Sequence, residues 1–141
     1  MIRKLTEADL TAVIDIWLET NVKAHSFISE KYWQDNFEMV KSALPQAEVY
    51  VYEENEGEIA GFIGLTGNYI AGLFVKCDAQ SNGIGKKLMD YVKTNRTELT
   101  LTVYEKNTRA VSFYHRERFV TDSEKIDENT GEKEFVMVWE Q

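Results

Sequence analysis

The sequence predicts an α+β domain: a mixed, mostly antiparallel sheet of about seven strands carrying four helices. Three observations predict it. Between Ala47 and Val75, three short segments rich in apolar residues are separated only by turn residues, as in a meander of antiparallel strands. Segments on either side repeat their apolar residues every three or four positions, as helices do. Residues 80–88, Gln-Ser-Asn-Gly-Ile-Gly-Lys-Lys-Leu, then place a glycine loop between a strand and a helix.

The elements follow in order. Ile2 to Leu5 is a short strand candidate. Thr6 is an N-cap candidate, with Glu7 and Asp9 where anions suit the helix dipole. Leu10, Val13, Ile14, Trp17 and Leu18 carry the first helix to about Thr20, and Asn21 to Ile28 reads as a loop. Ser29 caps a second helix with the stripe Trp33, Phe37, Val40 and Leu44, and Pro45 stops it. Ala47 to Glu53 and Ile59 to Leu65 form a hairpin around Asn55-Glu56-Gly57. Gly67-Asn68 turns into a third strand, Tyr69 to Val75, which Gly72 interrupts; a glycine there marks a bulge or a close backbone approach.

A third helix follows the glycine loop to about Asn95. Leu99, Leu101 and Val103 alternate with threonines in a strand at 98–104. Asn107 is the N-cap candidate of a fourth helix with Ala110, Val111 and Tyr114 on one face. Phe119 to Ile126 and Lys133 to Trp139 are the closing strands, joined by the polar turn Asp127 to Gly131.

The 141 residues suit a single domain with a real core. With 43% hydrophobic and 28% charged residues, the composition is that of a soluble globular protein. No apolar run approaches a membrane span, and Met1 leads into a patterned segment rather than a signal peptide. Cys77 is the only cysteine, which excludes an internal disulfide, fits a reducing cytoplasm, and reads as a small buried residue. A net charge of −8 argues against nucleic acid as the main partner and is compatible with a cationic substrate such as an amine. An anionic ligand then needs a local basic patch, which Lys76, Lys86, Lys87 and Lys93 supply around the glycine loop.

A helix start presents unpaired N–H groups and the positive end of the macrodipole, so it attracts anions. Glycines let a phosphate reach that backbone. Two common phosphate motifs do not fit: Gly83-Ile84-Gly85-Lys86-Lys87 lacks the P-loop spacing, and Leu88 stands where a dinucleotide fingerprint needs its third glycine. Taken alone, Gly-x-Gly before a helix is equally well a tight turn.

Gln80-x-x-Gly83-x-Gly85, between a strand and a helix, resembles the acyl-CoA loop of the GNAT superfamily of N-acetyltransferases. Downstream, Asn107-Thr-Arg-Ala110-Val-Ser-Phe113-Tyr114-His-Arg-Glu-Arg-Phe119 resembles that family's Asn-x-x-Ala-x-x-Phe-Tyr-x-x-x-Gly-Phe segment. Arg118 departs from it, standing where the family has glycine. The element order matches across nearly the whole chain. The stretch Trp17-Leu-Glu, His25-Ser-Phe27-Ile28 and Tyr32-Trp33 is similar to small bacterial single-domain members, some described as peptidyl-lysine N-acetyltransferases.

The resemblance implies one N-acetyltransferase domain over 1–141, with strands 69–75 and 98–104 splayed to admit acetyl-CoA and no metal. It implies that the pyrophosphate rests on the N–H groups of Gln80, Ser81, Asn82, Gly83, Ile84, Gly85 and Lys86. The pantetheine amides would pair with Leu73 and Val75, and Phe74 or its neighbour would donate an N–H to the oxyanion, typically worth about 3–4 kcal/mol. Tyr114 is the candidate acid for the departing thiolate, and Asn107 caps its helix and can bond the cofactor. From spacing alone Tyr114 is a core tyrosine; the motif reverses that preference. His25, Glu105 or a water chain are candidate bases, and His25, Phe27 and Trp33 candidate acceptor contacts, although loop histidines and aromatics are more often structural. The acceptor is an amine, on a protein lysine or a small molecule, and the enzyme a monomer or homodimer. The rival reading is an acyl-CoA-binding sensor without turnover.

Overall fold

In a computed structural model, which describes residues 1–55 and 57–141, seven strands form one open sheet flanked by four helices. The strands are β1 (Ile2–Lys4), β2 (Glu48–Glu54), β3 (Glu58–Thr66), β4 (Tyr69–Val75), β5 (Glu98–Tyr104), β6 (Val120–Ile126) and β7 (Lys133–Glu140). The helices are α1 (Leu10–Ala24), α2 (Glu30–Ala43), α3 (Ile84–Lys93) and α4 (Thr108–Arg116). The strand order is β1-β2-β3-β4-β5-β7-β6, antiparallel throughout except for β4 beside β5.

The sheet separates two cores. On one face Ile63, Ile84, Leu88, Met89, Val92, Leu99, Leu101 and Phe119 bury α3 and α4. On the other, Val13, Ile14, Trp17, Trp33, Val51 and Phe62 bury α1 and α2. β3 lies between them and is buried from Ile59 to Leu65, which explains its unbroken apolar run.

Two helix ends and the burial of one residue differ from the sequence reading. α1 continues through Asn21 to Ala24, where the sequence pattern predicts a loop. Thr20 and Asn21 are buried polar residues that satisfy themselves on the helix: Thr20 Oγ1 donates to Ile16 C=O at 2.7 Å and Asn21 Nδ2 to Trp17 C=O at 2.9 Å. Their polarity breaks the apolar period without breaking the helix. α3 ends at Lys93 rather than near Asn95. Cys77 is half-buried, not buried, because the chain leaves the sheet in a short 3₁₀ turn over Cys77–Ala79. The predicted turn at 55–57 includes Glu56, which lies outside the described residues.

Candidate active site

The site begins where β4 leaves β5. The two strands pair only at Tyr69–Thr100 and Ile70–Leu101. Against β3, Leu65 pairs with Ile70 and Gly64 with Gly72, so Ala71 is an extra residue in β4. Gly72 follows because the ring of Phe74 lies where a Cβ would stand. Beyond this bulge β4 remains on β3, and its other edge opens.

The parity of that edge is fixed from both sides. Lys76 N–H donates to Ala60 C=O at 2.8 Å, while Val75 C=O accepts from the Gln80 side chain at 3.0 Å. Antiparallel strands alternate their bonding direction, so Phe74 turns its polar groups to β3, and Leu73 and Val75 turn theirs to the gap. Of the expected oxyanion donors, the neighbours of Phe74 therefore face the cleft and Phe74 does not.

At one end of the gap the loop enters α3. Ser81 (φ 70°) and Gly83 (φ 79°) are both left-handed, a geometry that turns successive N–H groups to one side. Lys87 N–H makes the first helical bond, to Gly83 C=O, which leaves the N–H groups of Ile84, Gly85 and Lys86 without a helical partner. Arg109 of α4 braces the loop: Nη1 donates to Gln80 Oε1 at 2.7 Å and Nη2 to Ser81 Oγ at 3.2 Å. Lys86 Nζ lies 3.4 Å from Asp90 and 3.5 Å from the buried carboxylate of Glu117, which hold it on the helix side of the loop.

A cleft of about 1100 Å³ runs from this loop along the gap to the end of α1. It is lined by Leu73, Phe74, Val75, Gln80, Ser81, Gly83, Ile84, Gly85, Lys86, Asn107, Tyr114, His25 and Trp33 among the predicted residues. Asn82 and Phe27 are outside this lining. Tyr114 comes from α4 on the α3 side of the sheet and is buried. Burial pushes its hydroxyl up to about 12, so it stays protonated at neutral pH.

Residues 13–140 match the family model described as an acetyltransferase (GNAT) domain. The chain belongs to the GNAT family of acetyltransferases. It is 37% identical to the peptidyl-lysine N-acetyltransferase YiaC of Escherichia coli (strain K12), over 99% of this chain and 96% of that protein. The solution structure of apo-form YjaB from Escherichia coli superposes with a TM-score of 0.88 at 26% identity, covering 99% of this chain and 96% of that one. The paia N-acetyltransferase of Thermoplasma acidophilum, solved in complex with coenzyme A, shares the fold with a TM-score of 0.82 at 21% identity, covering 100% and 98%.

The other end of this GNAT cleft is aromatic and tied to α4. Asn107 Oδ1 accepts from Ala110 N–H at 3.3 Å, capping α4. Its amide nitrogen therefore faces His25 Nε2, 3.2 Å away, as donor. That leaves the ring proton on Nδ1, which donates to Asn21 C=O at 3.1 Å. His25 is thus a neutral bridge between α1 and α4, stacked on Trp33 and meeting the ring edges of Phe27 and Tyr104. Burial pulls its pKa below the ordinary value. Glu105 is paired with Lys133 at 3.3 Å and lies outside the cleft lining.

Arg109, Tyr104 and Glu134 also line the cleft and were not singled out from sequence. Arg109 lies within the matched Asn107–Phe119 segment, so its spacing could have flagged it. Tyr104 and Glu134 become neighbours only through the β5–β7 register. Tyr104 donates to Asp127 at 2.6 Å.

Proposed function

We propose that this acetyltransferase moves the acetyl group of acetyl-CoA to a primary amine by direct attack in a ternary complex, with a lysine side chain of a protein as acceptor. The observation that carries the reading is the open edge of β4. Leu73 and the Val75 N–H present backbone groups without a strand partner to a gap that has a helix N-terminus at one end and Tyr114 in its lining.

Those residues fit acetyl-CoA. A pantetheine arm carries two amides, which can extend a strand edge by backbone pairing. A pyrophosphate suits the N–H groups of Ile84, Gly85 and Lys86 and the positive end of α3. The Gln80 side chain caps Val75 C=O and receives Arg109, so it also shapes the loop. When bound, acetyl-CoA supplies an activated acyl group with a thiolate leaving group. An N–H of Leu73 or Val75 then steadies the negative charge that grows on the acyl oxygen, and Tyr114 gives its hydroxyl proton to the sulfur as it leaves. The lysine acceptor is supported by the similarity to YiaC, a peptidyl-lysine N-acetyltransferase, and the net charge of −8 suits a cationic partner.

Tyr114→Phe tests the chemistry. With acetyl-CoA and a lysine-bearing peptide, CoA release is expected to fall about 10²-fold, the usual scale for losing a general acid, while acetyl-CoA affinity stays within about twofold. Unchanged turnover would remove Tyr114 as the acid. Acetyl-CoA binding without CoA release from the wild type, for any amine, would turn the reading into that of an acyl-CoA sensor.

A further inference from the structure

Amine acetylation at neutral pH needs a group to take a proton from an ammonium whose ordinary pKa is about 10.4. Both side chains suggested by the sequence are engaged elsewhere. The Nε2 lone pair of His25 accepts from Asn107, and Glu105 is held by Lys133 outside the cleft lining.

The acids around the aromatic end can be sorted by their partners. Asp127 accepts the Tyr104 hydroxyl at 2.6 Å. Glu132 is held by Lys106 at 3.0 Å and Glu124 by Lys133 at 3.1 Å. Glu117, at the loop end, is shared by Lys86 and Lys93 at 3.5 and 3.7 Å. Glu134 is different. It lines the cleft, is half-buried, and is bonded by no cation among the described residues; Lys125, opposite it on β6, acts on it only through space.

Its placement is as informative. Glu134 pairs with Tyr104 across the β5–β7 ladder, so the two side chains share a face. Tyr104 packs toward the α1–α2 core, whereas Tyr114 belongs to the opposite core. A thioester in the gap would meet the tyrosine from one face and the carboxylate from the other. An independent feature lies in the same part of the cleft. Trp33 is only 7% exposed, lines the cleft, and its indole N–H has no partner among the described residues. A buried donor without a partner is an unsatisfied polar group beside the aromatic end of the cleft.

We propose that Glu134 is the catalytic base: it receives the acceptor ammonium and takes the proton that must leave before attack, directly or through one water. This rests on the acetyltransferase reading above. The ammonium loses two protons in all. One passes to Glu134 and on to solvent, and the nitrogen lone pair it leaves behind forms the C–N bond. The other replaces the proton that Tyr114 gives to sulfur when the C–S bond breaks. The amide keeps the third. Burial and the nearby Asp127 raise the carboxyl pKa of Glu134, which makes it a better proton acceptor than a solvated glutamate. The groups facing it are Tyr104, Tyr32, Asp127 and Lys125.

Glu134→Gln, assayed with acetyl-CoA and a peptide bearing one internal lysine, tests the assignment. Turnover near neutral pH is expected to fall about 10²-fold or more. The deficit should shrink by about tenfold per pH unit toward the amine's own pKa, because free amine no longer needs a base. Acetyl-CoA affinity should not change, which also checks folding, and Glu134→Asp should keep the wild-type pH profile at a reduced rate. A wild type that turns over while Glu134→Gln matches it, or lags by the same factor at every pH, overturns the base and leaves the acetyltransferase reading intact. A wild type that binds acetyl-CoA but acetylates no amine overturns both.

Discussion

His25 bonds Asn107, 82 residues away in sequence, and so joins the end of α1 to the start of α4. The bond exists only while Nε2 is unprotonated, and the burial that favours the neutral ring has a thermodynamic consequence. The folded state holds the His25 proton less tightly than the unfolded chain does, whose pKa is near 6.5. Stability from this residue is therefore complete above 6.5 and is lost as the pH falls below it. The thermal stability of the wild type should fall on acidification from about pH 7.5 to 5.5, and His25→Gln should flatten that slope. Glu134 works in the opposite sense, since a raised carboxyl pKa adds stability on acidification. The decisive quantity is therefore the difference between wild type and variant, and parallel melting curves would show that His25 does not carry the effect. At this scale the sequence exposed Asn107 and Tyr114, because they sit in one contiguous segment with a recognisable spacing. It could not expose the Asn107–His25 bond or the freedom of Glu134, because both depend on side chains brought together across the sheet.

Helix ends were legible where a local residue sets them and obscure where burial does. The end of α4 is the clearest case. Phe119 N–H bonds Tyr114 C=O at 2.9 Å, Arg118 N–H bonds His115 C=O at 3.0 Å, and Arg118 has φ 73°. This is a left-handed helix cap, closed by the contact of the Tyr114 and Phe119 rings at 5.8 Å. The arginine thus keeps the geometry that the family pattern assigns to glycine, and Tyr114 keeps its place. The backbone carries the cost, roughly 1–2 kcal/mol for a non-glycine residue in this region. Arg118 is exposed, so little packing offsets it. Arg118→Gly is expected to stabilise the protein by about 1 kcal/mol net of glycine's unfolded-state entropy, raising Tm by about 3 °C. Turnover should stay the same. A lower Tm would mean that the arginine side chain contributes more than its backbone costs. The end of α1 was obscure for the opposite reason: Thr20 and Asn21 are polar yet buried, and their bonds to Ile16 and Trp17 are invisible in a hydrophobic period.

The molecule as a whole is two half-sheets hinged on a ladder that pairs only Tyr69 and Ile70 of β4 with Thr100 and Leu101 of β5. The number and order of elements could be read from the chain because each has its own period or turn. The depth of the opening could not, because it depends on Ala71 slipping out of register and on which residues of β4 then face outward. That parity makes a residue-level prediction. Val75 N–H and Leu73 N–H face the gap without a strand partner, while Phe74 N–H faces β3. In the free protein, amide exchange should be fast at Leu73 and Val75 and slow at Phe74 between them. Coenzyme A would close the ladder, so saturating ligand should slow exchange at Leu73 and Val75 and leave Phe74 nearly unchanged. The same ligand at about 100 times its Kd should add about 2.7 kcal/mol of global stability, which sets the rise expected at every globally exchanging amide. A gain at Leu73 and Val75 well beyond that global rise marks direct pairing with the ligand. Equal gains at all three residues would mean that coenzyme A stabilises the domain without lying along β4, and the proposed path of the pantetheine arm would then be wrong.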